Sequence, residues 1–369
     1  VNRRLLVDLE ALAANYQLFV AASDSIRSAD QSGLRNRSGP AAVGGVVKAN
    51  AYGVGVAEAA RRLLTEGCRH FFVATLEEAF ALRDEFENDT TADESPELFI
   101  FDGVDSSSAA EVARAGLIPV LNDETQLEAW RPHIDLPAAI HFDTGMHRLG
   151  FPSDTPADRF ADLNITLVMT HLACADEPDS GLNAGQASTF AEIVRRFPRV
   201  PTSIGNSAGW LSGCQGDVGR PGIGLYGGNP FSDRPSPMRP VASLQGRILQ
   251  LRVLAPGETV GYGASWTAEQ ETLAATVAIG YADGVPRHLS GAGEMALEGG
   301  QRCRILGRVS MDTTVIDVSA APGVSVGDWV ECFGRHISVD EAADCAGTLS
   351  YELLTRVGAR VPRVSGALG

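Results

Sequence analysis

Val43-Gly-Gly-Val-Val-Lys-Ala-Asn-Ala-Tyr-Gly-Val-Gly55 opens as an apolar run and closes in small residues. The run reads as a strand buried within a parallel sheet, and the residues after it as a tight loop. Lys48 stands at the junction. A lysine is costly to desolvate unless it is paired or neutral, and desolvation makes its amine a nucleophile or base near neutral pH. Lys48 is therefore a candidate Schiff-base lysine; an ordinary lysine reaching solvent past the sheet rim would look the same locally.

Outward from this stretch, similar apolar runs recur at 70–74, 98–101, 117–121, 138–142, 166–170, 202–204 and, more weakly, 218–225. Segments with helical spacing lie between them, at 56–66, 76–86, 107–115, 123–131 and 183–197. Eight strand-then-helix units over about 190 residues predict an α/β fold, a (β/α)8 TIM barrel. An amphipathic helix at 8–21 precedes them, followed by a Ser/Gly/Arg-rich stretch at 23–40 that reads as an exposed, mobile loop.

The character changes after Tyr226. Residues 227–240 carry four prolines and read as a connector. Short β patterns follow at 244–253, 272–279, 301–305, 313–318 and 329–333, with helical character only at 339–345 and 350–356. A C-terminal, mostly antiparallel β domain is expected. The expected division is 1–238 for the barrel and 239–369 for the β domain. Strand-like residues 4–8 could pack on either.

The 369 residues suffice for this arrangement, and 44% hydrophobic against 21% charged residues is ordinary for a soluble globular protein. A net charge of −16 opposes binding to nucleic acid or anionic membranes. No apolar stretch approaches the roughly 20 residues of a membrane span, and the first residues do not read as a secretory signal, so none is expected. The chain starts without Met, which implies processing or trimming. Six scattered cysteines fit free thiols in a reducing cytoplasm, and no spacing suggests a metal site.

A barrel carries its reactive groups at the carboxyl ends of its strands. Those positions hold Lys48, then Asp143 with His147 and Arg148, then His171, Asn206 with Ser207, and Arg220 with Gly222. Singly, Asp143 could cap a turn, Arg148 could pair at the surface, and His171 could be a satisfied core histidine. Together they fall on one rim. The glycines of 205–209 and 220–224 sit where barrels cradle phosphate, although such loops also serve as plain turns. A phosphate site near a Schiff-base lysine suggests pyridoxal 5'-phosphate.

Val46-Val-Lys-Ala-Asn-Ala-Tyr-Gly53 resembles the pyridoxal-lysine motif of the bacterial alanine racemase family. The likeness continues through Asp143-Thr-Gly-Met-His-Arg-Leu-Gly150, Gly205-Asn-Ser-Ala208, Arg220-Pro-Gly-Ile-Gly-Leu-Tyr226, Gly280-Tyr-Ala-Asp-Gly284, Val309-Ser-Met-Asp312 and Tyr351-Glu352. The resemblance implies a pyridoxal-phosphate-dependent racemase of L- and D-alanine that uses two bases. Lys48 would hold the cofactor, while Tyr52, Asn206, Ser207, Gly222, Ile223 and Tyr351 would grip its phosphate. Arg220 would face the pyridine nitrogen, buttressed by His171, and Arg148 would bind cofactor and substrate. The second base would be Tyr281, lent with Met311 and Asp312 by a neighbouring subunit, so the active unit would be a homodimer. Its role would be peptidoglycan precursor supply or D-alanine catabolism.

Two departures from the family pattern stand out. His141 replaces a lysine that many members carbamylate to orient the arginine matching Arg148. A bound anion such as chloride could substitute, neutral His141 could hydrogen-bond Arg148, or the change could be a tolerated variant. Val54 stands where a histidine commonly follows, which reads as the loss of a structural contact. The competing functions are a broader or serine-preferring amino-acid racemase, a decarboxylase on a similar barrel, and a non-catalytic pyridoxal-phosphate-binding barrel. Tyr281 and the Met311-Asp312 segment argue against a decarboxylase, and the β domain argues against the barrel-only carrier.

Overall fold

The computed structural model describes residues 1–25, 33–37, 41–87 and 95–368. Of the stretch read as a loop, residues 26–32 and 38–40 lie outside the described residues.

The near-continuous apolar runs form parallel strands because each must be covered on both faces. Gly45–Val46, His70–Val73, Glu97–Ile100, Ile118–Leu121, Ala138–Asp143, Ile165–Met169 and Thr202–Ser203 lie side by side in that order. The eighth strand, Val218–Gly219, pairs in parallel with Ala42–Val43. It continues along the first strand through Gly44 N–H to Gly219 O (2.9 Å) and Val46 N–H to Pro221 O (3.0 Å). On its other side Arg220 N–H donates to Gly205 O (2.9 Å), which closes the ring. Phe72 stacks on Phe99 and Phe101, with centroids 4.8 and 5.5 Å apart, so the rings pack strand to strand.

The expected helices form as Leu9–Ser25, Val56–Thr65, Leu76–Glu87, Ala109–Arg114, Glu124–Trp130 and Gly181–Val194. Glu124–Trp130 starts where Asp123 accepts a hydrogen bond from Gln126 N–H at 2.9 Å, satisfying a donor that the first turn leaves free.

The second domain is a closed sheet. The strand Ala242–Leu254 pairs through residues 244–247 with Trp329–Phe333 and through 248–254 with Thr272–Val277. A bulge between Ile248 and Gln250 bends it from one neighbour to the other. Thr314–Asp317, Arg302–Leu306 and Glu294–Leu297 complete the circuit. Arg3–Val7 pairs antiparallel with Ala242–Leu254 and parallel with Arg363–Ser365, so the first strand of the chain belongs to this sheet rather than to the barrel. One buried apolar cluster runs through both domains, from Leu5 to Val361.

Candidate active site

Five strand ends deliver their polar residues to a single cavity of about 720 Å³. Lys48, Tyr52, Arg148, His171, Asn206, Ser207, Arg220, Gly222 and Ile223 line it from the barrel. Tyr351 reaches it from the helix Ser350–Thr355 of the second domain. Lys48, Arg148 and Arg220 outnumber Asp102 and Glu352 in the wall although the chain as a whole is acidic, which suits an anionic ligand.

The loop after Lys48 is a left-handed turn. Ala49, Asn50, Ala51 and Tyr52 have φ of 52, 56, 53 and 53°, a conformation that costs a residue with a Cβ about 1–2 kcal/mol. Its surroundings hold it there. Glu78 accepts from Ala49 N–H at 2.6 Å, Asn50 accepts from Val56 N–H at 2.8 Å, and Arg363 donates to Gly53 O at 3.0 Å. Val54, just beyond, is buried in the core. The Lys48 Nζ lies 5.7 Å from the Phe101 ring centroid. Burial, reinforced by the Arg148 charge, pulls its pKa below the usual lysine value, with Glu78 and Asp102 opposing. The amine is thereby easier to free of its proton than a surface lysine.

Arg220 is buried on the floor of the cavity. Its guanidinium donates to Ser203 Oγ and to Thr170 O (2.6 Å), and Nη2 lies 3.4 Å from His171 Nδ1. Burial lowers its pKa to about 9, which leaves it charged at neutral pH. His171 is pushed well below its usual pKa by burial first and then by the charge of Arg220, so it is neutral. A charged guanidinium on the floor can donate to a ring nitrogen above it but cannot accept a proton.

The polar end of the cavity is tightly built. Ser207 Oγ accepts from Gly222 N–H (3.0 Å) and Gly224 N–H (3.2 Å), and Asn206 caps the turn by accepting from Gly209 N–H (2.9 Å). Tyr52 stacks on Tyr226 with centroids 4.8 Å apart, which fixes its hydroxyl against Gly222. A Cβ on Gly222 would meet that hydroxyl at 2.3 Å. Two phenols and a serine hydroxyl thus converge on backbone without side-chain bulk, with an amine and two guanidinium groups in the same cavity. The donor set fits a phosphorylated pyridine aldehyde.

Three predicted residues are not brought to this cavity. Tyr281 and Met311 are 43% and 52% exposed on the second domain, on adjoining loops. Tyr281 N–H donates to Ser310 O and Ala282 N–H to Met311 O, each at 3.0 Å. Gly280 permits this approach, since a Cβ there would strike Ser310 O at 2.3 Å. Asp312 pairs with Arg360 at 2.6 Å, and Arg360 with Asp283 at 2.7 Å.

His141 is corrected in one respect. Its Nδ1 lies 2.8 Å from Asn122 Oδ1, so that nitrogen is taken by Asn122 and is unavailable to Arg148. Sequence reading assigned no role to Phe101, Asp102, Glu352 or Thr355, all in the cavity wall. Asp102 follows the strand Glu97–Ile100, and the strand-end rule would have found it; Glu352 and Thr355 share a short helix with Tyr351.

Comparison with known proteins covers both domains. Residues 7–230 match the family model described as alanine racemase, N-terminal domain, and residues 241–365 match alanine racemase, C-terminal domain. An alanine racemase of Rhodospirillum rubrum is 42% identical over 99% of this chain and 96% of its own length. The crystal structure of alanine racemase from Bartonella henselae with covalently bound pyridoxal phosphate superposes with a TM-score of 0.87 at 30% identity, covering 99% of this chain and 100% of that one. The biosynthetic alanine racemase of Pseudomonas aeruginosa gives 0.86 at 34% identity, covering 99% of each chain.

Proposed function

This chain belongs to the alanine racemase family, and on that premise we propose how its own residues carry out the reaction. It is a pyridoxal-phosphate-dependent enzyme that interconverts L- and D-alanine. The bound cofactor supplies an electron sink that makes the substrate Cα–H acidic.

Tyr52, Asn206, Ser207, Gly222, Ile223 and Tyr351 hold the phosphate. Lys48 would anchor the cofactor, and its amine would take or return the Cα proton on one face. Arg220 would hold the cofactor ring from the cavity floor as a donor that cannot accept a proton, and His171 would support it. Arg148 binds cofactor and the substrate carboxylate. Tyr281 of the partner subunit serves the opposite face, with Met311 and Asp312 beside it. The exposure of Tyr281 and Met311, away from the cavity of their own chain, supports a homodimer with shared sites. Residues 1–238 then act as the cofactor barrel and 239–369 as the domain that completes the neighbour's site. Six unpaired cysteines support a cytoplasmic location, where D-alanine serves as a peptidoglycan precursor. Among the described residues no helix is long and apolar enough to cross a membrane.

The observation that carries this reading is the buried Lys48 amine, its pKa lowered by desolvation, in the same cavity as the Tyr52–Ser207–Gly222 cradle and the Arg220 floor. Lys48→Ala and Tyr281→Phe subunits, each inactive or impaired alone, should recover activity on mixing. Demonstrably mixed dimers without recovery would rule out shared sites.

A further inference from the structure

Gln186 belongs to neither the cavity wall nor the core packing, yet its side chain is fully buried at 0% exposure on the helix Gly181–Val194. Its amide grips the backbone just past His171 at two points. Ala173 N–H donates to Oε1 at 2.9 Å, and Nε2 donates to His171 O at 2.9 Å. A single side chain thereby pairs with residues two apart, as a neighbouring strand would. The remaining Nε2 hydrogen reaches Thr144 Oγ1 at 3.2 Å, in the loop that carries Arg148. Thr144 Oγ1 lies 2.8 Å from Thr170 Oγ1, and Thr170 O accepts from Arg220. One amide therefore links the ends of the fifth and sixth strands.

We propose that Gln186 is a positioning residue: it fixes the His171 loop under Arg220 and the Arg148 loop over the substrate carboxylate, in mutual register. The proposal rests on the roles given above to Arg148 and to the His171–Arg220 pair. A mere packing role is poorly served by an amide in this place, because burying one is costly unless its donors and acceptor are matched, as all are here.

Two substitutions separate the arms. Thr144→Val removes the hydroxyl through which the Arg148 loop meets both Gln186 and Thr170. It should raise KM for L-alanine about 3- to 10-fold, with kcat little changed. Gln186→Glu keeps the length and the acceptor for Ala173 but loses both donors. It also places a carboxylate against the His171 carbonyl, near a ring that burial and the charge of Arg220 hold neutral. KM should rise, and the acidic limb of the kcat profile should move to higher pH.

Two readouts do not depend on turnover. Histidine NMR should show the His171 ring titrating higher in Gln186→Glu, and the pyridoxal phosphate dissociation constant should match the parent in both variants. Lower melting temperatures with parental KM, pH profile and His171 titration would overturn the proposal and leave Gln186 a structural residue. Should Gln186→Glu fail to fold, the KM of Thr144→Val decides: an unchanged value overturns the link. Arg148→Ala serves as the control. If it leaves KM unchanged, the carboxylate role of Arg148 is wrong; if it raises KM while Thr144→Val does not, only the present inference fails.

Discussion

Arg220 Nη2 and His171 Nδ1 lie 3.4 Å apart inside the barrel, with the guanidinium already committed to Ser203 Oγ and Thr170 O. The fork matters as much as the charge. A lysine at 220 has one nitrogen and cannot reach three partners lying in different directions. It would leave buried acceptors unpaired, each costing about 1–3 kcal/mol. Arg220→Lys should therefore lower unfolding free energy by about 2–4 kcal/mol in urea titrations of the cofactor-free protein. Parental stability would mean that the guanidinium is not holding the floor together.

Tyr281→Phe should slow proton exchange at Cα unequally for the two enantiomers. The phenol and Lys48 are assigned to opposite faces of the substrate, so removing one hydroxyl affects the step that it serves. A loss of about 10²–10⁴-fold is the usual size for a missing acid–base group. The L enantiomer should suffer more, read as incorporation of solvent deuterium. Equal defects for L- and D-alanine would refute the division of labour.

Gly222→Ala tests the phosphate cradle. The added Cβ would meet the Tyr52 hydroxyl at 2.3 Å and its ring carbon at 3.0 Å. Tyr52 has nowhere easy to go, since its ring stacks on Tyr226 and its backbone is held at φ 53°. Overpacking of this kind costs about 1–3 kcal/mol, so affinity for pyridoxal phosphate should fall roughly 10- to 100-fold. Equilibrium binding to the cofactor-free protein measures it, and parental affinity would place the phosphate elsewhere.

Much of this site could be read before any coordinates. Lys48, Arg148, His171 and Arg220 were legible because a strand buried on both faces announces where it ends, and barrels use those ends. The left-handed turn at Ala49–Tyr52 was not, since nothing local favours four residues with a Cβ in that region; contacts from Glu78 and Arg363, distant in sequence, hold it. The pairing of Arg3–Val7 with Arg363–Ser365 spans nearly the whole chain, and no local pattern encodes it. The strand Glu294–Leu297 is short and was passed over. Asn122 and Gln186 escaped for another reason. An amide on a strand end or helix looks generic until its partners are known, and those partners are mostly backbone atoms with no residue signature.

His141 gives a pH dependence whose sign can be worked out. Asn122 Nδ2 donates to Phe101 O and Val120 O, each at 2.9 Å, so Asn122 Oδ1 faces His141 and its Nδ1 must carry the proton. The ring titrates at Nε2. Burial lowers its pKa from the usual 6.5 to about 4, with Arg220 and Arg148 adding to the shift and Asp143 opposing it. Between these values the unfolded chain binds a proton that the folded chain refuses. Stability from this group is therefore complete above about pH 6.5 and is lost as pH falls towards 4, at most about 3 kcal/mol in all. His70, also lowered to about 4, contributes in the same window, so the measurement must be a difference. The stability of the parent minus that of His141→Gln, from urea unfolding of cofactor-free protein, should shrink as pH drops from about 7 to about 4. Parallel pH curves for the two proteins would show that His141 ionises alike folded and unfolded, and that its bond to Asn122 imposes no proton state on the ring.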